Sequence, residues 1–325
     1  MRHLLEAGLA GLIALAGTSA PAAAATDKYP SRPVTLIVPF APGSGTDITT
    51  RIMARSMSEQ LGETVVVVNK PGANGALGAR AAAQAKPDGY VLVVGSATTH
   101  ATNYAFYPGR LGYEPGNFDV VAGLGTSSVA LYVPEASPWR KLSELVADAK
   151  SPSSRINCGS GNAVTQVACE IFAKQAGFEA TTVPYKGNAQ SLGDVVGARL
   201  SFAFSDLTAA SPFVDGKQLR PLAVAGSKRN PALPDVATFR EQGFGDFEIT
   251  AWVAVFAPAG TPAPILERLN AVVRKAVAAP EMQQLRAHTG STTLDMTLPE
   301  ARAFVQAEVA RWARYVAESG VRPEQ

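Results

Sequence analysis

The sequence predicts an α/β protein in which a parallel sheet is covered by helices on both faces. Short β-branched runs bounded by Pro, Gly, Asn or Asp, the signature of buried strands, occupy residues 34–38, 64–68 and 90–94. The stretch after the first run has apolar residues at helix spacing from Ile48 to Leu61, and a second helical pattern covers 75–85. Strand and helix therefore alternate, which favours parallel strands joined by helical crossovers.

The same alternation restarts after Ser151 and predicts a second α/β unit. Its predicted strands are 155–158, 181–185, 200–204 and 219–226, and its predicted helices are 162–176 and 189–196. Long β-rich stretches separate and follow the units at 120–139 and 247–262. The chain then ends in three helical patterns, the last of which carries a stripe that we expect to pack on the first unit: Val305, Val309, Trp312 and Val316.

The first 25 residues are typical of a secretory signal peptide. Arg2 and His3 precede an apolar run, which is followed by small residues that end near Ala25. The apolar run is too short to span a bilayer, and no later segment approaches the roughly 20 apolar residues that spanning needs. We therefore expect an exported soluble protein, cleaved near Ala25, in the periplasm.

Composition argues against several other classes of function. The 325 residues carry a net charge of +2 without a cluster of Lys and Arg, so no nucleic-acid partner is predicted. After loss of His3, only His100 and His288 remain, far apart in the sequence, so no metal site is predicted. Cys158 and Cys169 are the only cysteines; their placement favours buried free thiols, with a disulfide as the alternative.

Two Gly/Ser loops connect a predicted strand to a predicted helix. They are APGSGTD, residues 41–47, and CGSGNAVTQ, residues 158–166. Such loops direct free backbone N–H groups and the positive end of a helix dipole at the crevice above a sheet, which attracts anions. One such loop alone is an ordinary capping device, but two in adjacent units favour a shared cleft. Neither has the spacing of a nucleotide-binding glycine motif, so a carboxylate is the predicted anion.

Asp47 lies in the first turn of the first loop's helix, and two interpretations of it remain open. Its charge stabilises the helix dipole there, or it receives an ammonium or hydroxyl group of the ligand. A ligand carboxylate nearby would be repelled by it.

Several segments resemble, in order, the Bug-type family of extracytoplasmic binding proteins of tripartite tricarboxylate transporters. These segments are YPSRPVTLIVPFAPGSGTDITTR, VVVVNKPGANGALGA, KPDGYVLVVGS, VPYKG and FAPAGTPAPILERLN. The resemblance covers nearly all of the mature chain. It implies a type II periplasmic-binding-protein fold, with two doubly wound α/β domains, an interdomain cleft and two crossover strands. The implied domains are 26–125 plus 252–325, and 126–251.

The resemblance also implies which residues bind the ligand. The first loop supplies Phe40, Ala41, Gly43, Ser44, Gly45, Thr46 and Asp47. The second supplies Ser160, Gly161, Asn162 and Thr165. Ser96 and Thr98 border the cleft with His100, for which a local hydrogen-bonding role is favoured, and Tyr185 packs on the ligand. Asp206 either meets a polar ligand group or caps the following helix.

The chain departs from the family pattern in the second unit. The family's helix after the second loop begins with a motif that contains His, whereas TQVACEIF has none. The first loop has Ser44 then Gly45 where the family has Gly and a variable residue. These departures affect the expected ligand contacts more than the expected fold.

The sequence therefore favours a monomeric, non-enzymatic binding protein that captures a small carboxylate for a tripartite tricarboxylate permease, without a cofactor. Few cations are expected in the cleft, which favours a mono- or dicarboxylate over citrate. Two alternatives remain: an exported hydrolase with Ser160 as nucleophile, and a receptor whose loaded form docks on a membrane sensor kinase.

Overall fold

The computed structural model describes residues 29–245 and 247–321. The predicted signal peptide and its cleavage near Ala25 lie outside these residues. Across the two described ranges, no helix combines the length and the apolar character needed to cross a membrane.

The strands and helices alternate as the sequence predicts. The strands are β1 Val34–Val38, β2 Val65–Asn69, β3 Val91–Ser96, β4 Phe118–Pro134, β5 Asn157–Ser160, β6 Thr181–Pro184, β7 Phe202–Asp206, β8 Leu219–Val224, β9 Thr250–Pro258 and β10 Thr292–Thr293. The helices are α1 Gly45–Leu61, α2 Ala76–Ala83, α3 Asn103–Phe106, α4 Leu142–Ala149, α5 Ala163–Ala176, α6 Asn188–Val196, α7 Leu207–Asp215, α8 Ala263–Val277, α9 Pro280–Thr289 and α10 Leu298–Ser319. A π-helical turn, Thr98–Thr102, joins β3 to α3.

The first sheet has the order β2-β1-β3-β9-β4, with β10 on the far side of β4. Strands β1, β2 and β3 are parallel, with Leu36 opposite both Val67 and Leu92. Strand β9 is antiparallel to β3 and to β4. The predicted parallel strands are therefore present, and the two long β-rich stretches, β4 and β9, add antiparallel strands to the same sheet.

The second sheet has the order β6-β5-β7-β4-β8. It shares β4 with the first sheet. Residues Phe118–Ser128 of β4 pair with β9, and the residues from Val129 to Pro134 pair with β7 and β8. One long strand thus belongs to both sheets, which places the carboxyl ends of β1 and β5 on either side of a common cleft.

The core lies on the faces of the two sheets. On one face of the first sheet, α1 and α8 bury Met53, Met57 and Leu269 against Leu36 and Leu92. Helix α10 covers the opposite face and also contacts α5 of the second unit. Trp312 and Val316 of its predicted stripe are buried, whereas Val305 and Val309 pack on the core with partial exposure. The helix therefore packs on both units, not only on the first.

Cys158 and Cys169 form a disulfide, so the preference for free thiols was wrong. Strand β5 ends at Ser160, and α5 begins at Ala163 and runs back along the strand. This reversal places the seventh residue of α5 over the second residue of β5. The two Cα atoms are 6.1 Å apart, which is within the range that a disulfide bridges. Sequence separation alone does not reveal such a tight reversal.

Candidate functional site

A cleft lies between the two sheets, and four helices begin at its walls. Helix α1 follows β1, and α5, α6 and α7 follow β5, β6 and β7. Residues at all four helix starts line the cleft, namely Ser44, Gly45 and Thr46, then Asn162, Val164 and Thr165, then Gly187 and Asn188, then Asp206 and Thr208. The space that no atom occupies there amounts to about 870 Å³, including solvent at the mouth. The positive ends of four helix dipoles therefore face one cavity.

The first loop leaves backbone donors free at the start of α1. Ser44 caps the helix, because its Oγ accepts a hydrogen bond from the Asp47 N–H at 3.2 Å. The N–H groups of Gly45 and Thr46 donate to no described residue, as expected for the first turn of a helix. Both residues line the cleft, so these two donors are available to an anion.

The second loop repeats this arrangement at α5. The Asn162 side chain accepts from the Thr165 N–H at 3.1 Å, and Thr165 Oγ1 accepts from the N–H groups of Gly161 and Asn162 at 3.1 and 3.2 Å. The N–H groups of Ala163 and Val164 make no hydrogen bond to a described residue. Glycine is required at 161, because a Cβ there would lie 2.1 Å from the backbone nitrogen of Asn188.

Asp47 is neutralised by its own neighbours. Its carboxylate is 2.9 Å from Arg51 Nη2 and accepts hydrogen bonds from Arg51 Nε, Asn69 Nδ2 and the Gly43 N–H at 2.9 to 3.0 Å. Burial by itself would raise the pKa of Asp47, but these donors outweigh it and hold the pKa below its usual range. Asp47 does not line the cleft, and its contacts fit the interpretation that it stabilises the helix and loop.

Asp206 lies at the carboxyl end of β7 and both caps a helix and lines the cleft. Its Oδ1 accepts from the Ala209 N–H and its Oδ2 from Asn188 Nδ2, both at 3.0 Å. Burial raises the pKa of Asp206, and these hydrogen bonds only partly offset that effect. A Cβ on Gly45 would lie 2.2 Å from Asp206 Oδ1, so the first loop packs directly against this carboxylate from the other side of the cleft.

The structure distributes the remaining predicted residues between the cleft and its surroundings. Phe40, Ser96 and Thr98 line the cleft, and the Ser96 hydroxyl is buried without a hydrogen-bond partner. The predicted residues that do not line it, besides Asp47, are Ala41, Gly43, Ser160, Gly161 and Tyr185. The Tyr185 hydroxyl instead donates to Asp194 at 2.5 Å. Ala41 donates through its backbone N–H to the Lys186 carbonyl at 3.4 Å, which joins the two units across the cleft.

His100 is packed into an aromatic cluster and does not line the cleft. Its ring stacks on Phe256 at 3.8 Å between centroids, meets Phe118 edge-on at 4.5 Å, and has Nδ1 2.8 Å from Thr99 Oγ1. The other histidine, His288, is exposed and contacts Asp215 at 2.9 Å. No hydrogen bond links Ser160 to either histidine, so the described residues do not assemble the dyad that a serine nucleophile needs.

Several lining residues were missed by sequence reasoning. They are Thr49 of α1 and Ala97 after β3; Leu124, Gly125, Thr126, Ser127 and Val129 of β4; Val164, Gly187, Asn188 and Thr208 at the helix starts of the second unit; Ala251, Trp252 and Val253 of β9; and Met282, Leu285, Arg286, Ser291 and Thr292 near the C-terminus. The sequence did signal that β4 and β9 connect the units, but it gave no sign that α9 would reach the cleft. Of the described lining residues, Arg286 alone is a lysine or arginine, and Asp206 alone is an acid.

The fold and the cleft are those of a solute-binding receptor. Residues 49–321 match the family described as the tripartite tricarboxylate transporter family receptor. The chain belongs to this family, as its sequence motifs predict.

Solved structures agree on the fold. The periplasmic binding protein BugD is 31% identical, with a TM-score of 0.86 over 91% of this chain and 100% of that one. Rpa4515 of R. palustris, solved with adipate, is 31% identical with a TM-score of 0.87 and the same coverage. MatC from Rhodopseudomonas palustris, solved with malate, is 31% identical with a TM-score of 0.84 over 89% of this chain and 100% of that one. The predicted periplasmic-binding-protein fold is thus confirmed.

Proposed function

We propose that this protein is a periplasmic receptor that captures a small carboxylate in the cleft and delivers it to the membrane permease of a tripartite tricarboxylate transporter. The observation that carries the proposal is the convergence of four helix N-termini on one cavity, with free N–H groups at two of them. Oriented N–H donors and helix dipoles stabilise an anion without a dedicated metal or basic cluster.

Ligands of related proteins support a carboxylate. The two R. palustris proteins were solved with malate and with adipate, which are both dicarboxylates. Three or four charge-assisted hydrogen bonds of about 1.5–3 kcal/mol each are sufficient, after ordering costs, for the roughly 8 kcal/mol of micromolar binding. The single lining arginine fits one or two carboxylates better than three.

Export and closure belong to the same proposal. The signal peptide predicted in residues 1–25 would direct the chain to the periplasm. The domains 26–125 plus 252–325, and 126–251, would close on the ligand about the strands β4 and β9, and the closed form would be recognised by the permease. The backbone contact between Ala41 and Lys186 is one that closure would form.

Thermal unfolding of residues 26–325 with a panel of small carboxylates tests the proposal. A ligand at a hundred times its Kd adds about 2.7 kcal/mol to the free energy of unfolding, which raises the Tm by several degrees. We expect at least one carboxylate to do so and to be recovered chemically unchanged. Consumption of the compound would favour the hydrolase, and a panel without any stabilising acid would contradict carboxylate binding.

A pair of tryptophan variants tests whether the ligand occupies this cleft. Ser127 lies on the cleft wall, so Ser127→Trp should fill the cavity and abolish the ligand-induced rise in Tm. Ser153 is exposed and does not line the cleft, so Ser153→Trp should retain the full rise. Equal responses of the two variants would place the ligand elsewhere.

The partner is tested with the identified ligand. Deletion of the gene should abolish uptake of that ligand by the cell, and the loaded receptor should bind the permease subunits more tightly than the empty one. Unchanged uptake, together with ligand-dependent binding to a sensor-kinase ectodomain, would assign the receptor to signalling.

A further inference from the structure

The cleft contains an acidic and a basic side chain that pair neither with each other nor with another charged group among the described residues. Among the described residues that line it, Asp206 is the one acid and Arg286 the one base. No described lysine or arginine has a nitrogen within 4 Å of the Asp206 carboxylate, and no described carboxylate lies within 4 Å of Arg286. A charge left unpaired in a partly dehydrated cavity is costly and is normally matched by a partner. Burial raises the pKa of Asp206 while no cation is present, and an ammonium within hydrogen-bond distance would lower that pKa again and keep the carboxylate charged.

The surroundings of Asp206 leave capacity for such a partner. Ala209 donates to Oδ1 and Asn188 to Oδ2, and the backbone of Thr208 and of Asp206 itself also stabilises the charged form, so every described donor to this carboxylate is neutral. The Tyr132 phenol on β4 also interacts electrostatically with Asp206. Burial, with a further contribution from Asp206, raises the pKa of Tyr132, so the phenol is neutral, and its hydroxyl has no hydrogen-bond partner among the described residues. Gly45 of α1 approaches the carboxylate closely and has no side chain to place beside it. None of these neighbours supplies a positive charge.

Asp47 is an acid near the same cleft whose charge is balanced within the protein. Asp47 is the last residue of the first loop. Its carboxylate contacts two nitrogens of Arg51 and accepts hydrogen bonds from two further donors, the Gly43 N–H and Asn69 Nδ2. Asp206, across the cleft, has only neutral donors, and no described cation lies within 4 Å of it. The contrast separates an acid that is part of the scaffold from one whose counter-charge must come from outside.

Arg286 on α9 is similarly available. One of its guanidinium nitrogens, Nη1, donates to the Val277 carbonyl at 2.8 Å, which fixes the side chain at the junction of α8 and α9. The side chain is half-buried, and its other nitrogens donate to no described residue. A guanidinium anchored at one corner presents its remaining N–H groups to a carboxylate.

We propose that Asp206 binds an ammonium group of the ligand, so that the ligand is an amino carboxylic acid whose carboxylate is held by the helix N-termini and Arg286. The inference rests on the proposed function and names the class of carboxylate. An acid that carries no amino group would be attracted by four helix dipoles but repelled by Asp206 at the same cavity. An amino acid matches both signs of charge, because its ammonium takes the one site where an anion is disfavoured.

Matched pairs of compounds with the same carbon skeleton test this inference. Calorimetry at pH 7.5 should compare aspartate with succinate, glutamate with glutarate, and phenylalanine with 3-phenylpropionate. We expect the wild-type protein to bind the amino member of the best pair at least tenfold more tightly. If amine-free acids bind equally or more tightly, the inference fails while carboxylate binding stands. If no acid in the panel binds, the proposed function fails with it.

Variants assign the effect to the two charges. Asp206→Asn keeps the shape and the helix cap, since Asn is as good an N-cap as Asp, and should remove the preference for the amino compound. Asp215→Asn, at the exposed far end of the same helix α7, should keep the preference. Arg286→Gln should weaken both members of a pair about equally, roughly tenfold, because both carry a carboxylate. Thermal unfolding without ligand verifies that each variant is folded.

Two results would overturn the assignment. A preference for the amino compound that survives Asp206→Asn would place the ammonium elsewhere. A protein that binds amine-free acids and binds them more tightly after Asp206→Asn would show that Asp206 excludes ligands instead of recruiting an ammonium.

Discussion

At the residue scale, His100 is a polar side chain that packs in the hydrophobic core. Its imidazole stacks on Phe256 and meets Phe118 edge-on, and a Cβ on Gly95 of β3 would lie 2.2 Å from its Nδ1, so the strand leaves room for the ring only because residue 95 is glycine. Burial lowers the pKa of His100 to about 3, which means that the ring is neutral in the folded protein. A histidine of this kind is a packing element, and no partner in the structure makes it a catalytic base.

The depressed pKa of His100 predicts a pH dependence of stability. In the unfolded chain the imidazole takes up a proton near pH 6.5, whereas in the folded protein it does so only near pH 3. The contribution of His100 is therefore fully present above pH 6.5 and is lost at about 1.4 kcal/mol per pH unit as the pH falls from 6.5 towards 3. Urea unfolding of the wild type and of His100→Gln between pH 7 and 4 should give free energies that converge as the pH falls.

A substitution in the same aromatic cluster that removes no titratable group provides the control for this prediction. Phe118→Leu should lower the free energy of unfolding by a nearly constant amount over the same pH range, because neither side chain takes up a proton. Parallel curves for wild type and His100→Gln would show that His100 does not determine the acid sensitivity.

At the element scale, the cleft depends on strand-to-helix reversals held by short-range contacts. In the second loop, the capping by Asn162 and Thr165 fixes the first turn of α5, and the disulfide ties that helix to β5. The covalent ring from Cys158 to Cys169 encloses the loop residues Gly161, Asn162 and Thr165. The bridge therefore stabilises the same segment that presents free N–H groups to the cleft.

Loss of the disulfide should weaken both stability and binding. In the chain-entropy model, a closed loop of this length contributes about 3 kcal/mol to the free energy of unfolding. We expect reductant to lower the urea midpoint of the wild type accordingly and to weaken binding of the identified carboxylate. The double variant Cys158→Ala with Cys169→Ala should match the reduced wild type and be insensitive to reductant. A wild type that does not respond to reductant would contradict this account.

At the scale of the whole molecule, the close approach of the two units depends on glycine at position 45. Gly45 belongs to the first unit and Asp206 to the second, and a Cβ on Gly45 would overlap the Asp206 carboxylate. Gly45 has an ordinary backbone conformation at the start of α1, so alanine is compatible with its own helix. The clash exists only while the units are in contact.

Gly45→Ala should therefore prevent closure without unfolding either unit. We expect small-angle scattering to show a fall in radius of gyration when ligand is added to the wild type, and little or no fall for Gly45→Ala, with affinity reduced at least tenfold. Gly193→Ala is the matched control, because nothing lies within 4 Å of a Cβ there, and it should close and bind as the wild type does. Normal compaction of Gly45→Ala would show that this contact does not limit closure.

Much of the order of strands and helices could be predicted from the sequence, because both produce a short-range periodicity of apolar residues. The run Val34–Val38, the helix that follows Ser44 and the terminal helix over Trp312 all follow from spacing and composition. A helix after Asp206 was expected from its capping position, but the bounds of α7 were not predicted, since the helix has Pro212 inside it and follows β7 without a loop. The disulfide was also misjudged, because its geometry depends on how sharply the chain reverses after Ser160.

The sequence by itself determined that this is an α/β receptor of its family with two glycine loops suited to an anion. Those features reside in contiguous motifs, whose physics is local hydrogen bonding and helix capping. Only the tertiary structure decided which charges face the cleft. It paired Asp47 with Arg51, placed no described cation beside Asp206, and brought Arg286 to the cleft from a helix distant in sequence. Pairing between side chains far apart in sequence depends on how elements pack, and no local pattern encodes that packing.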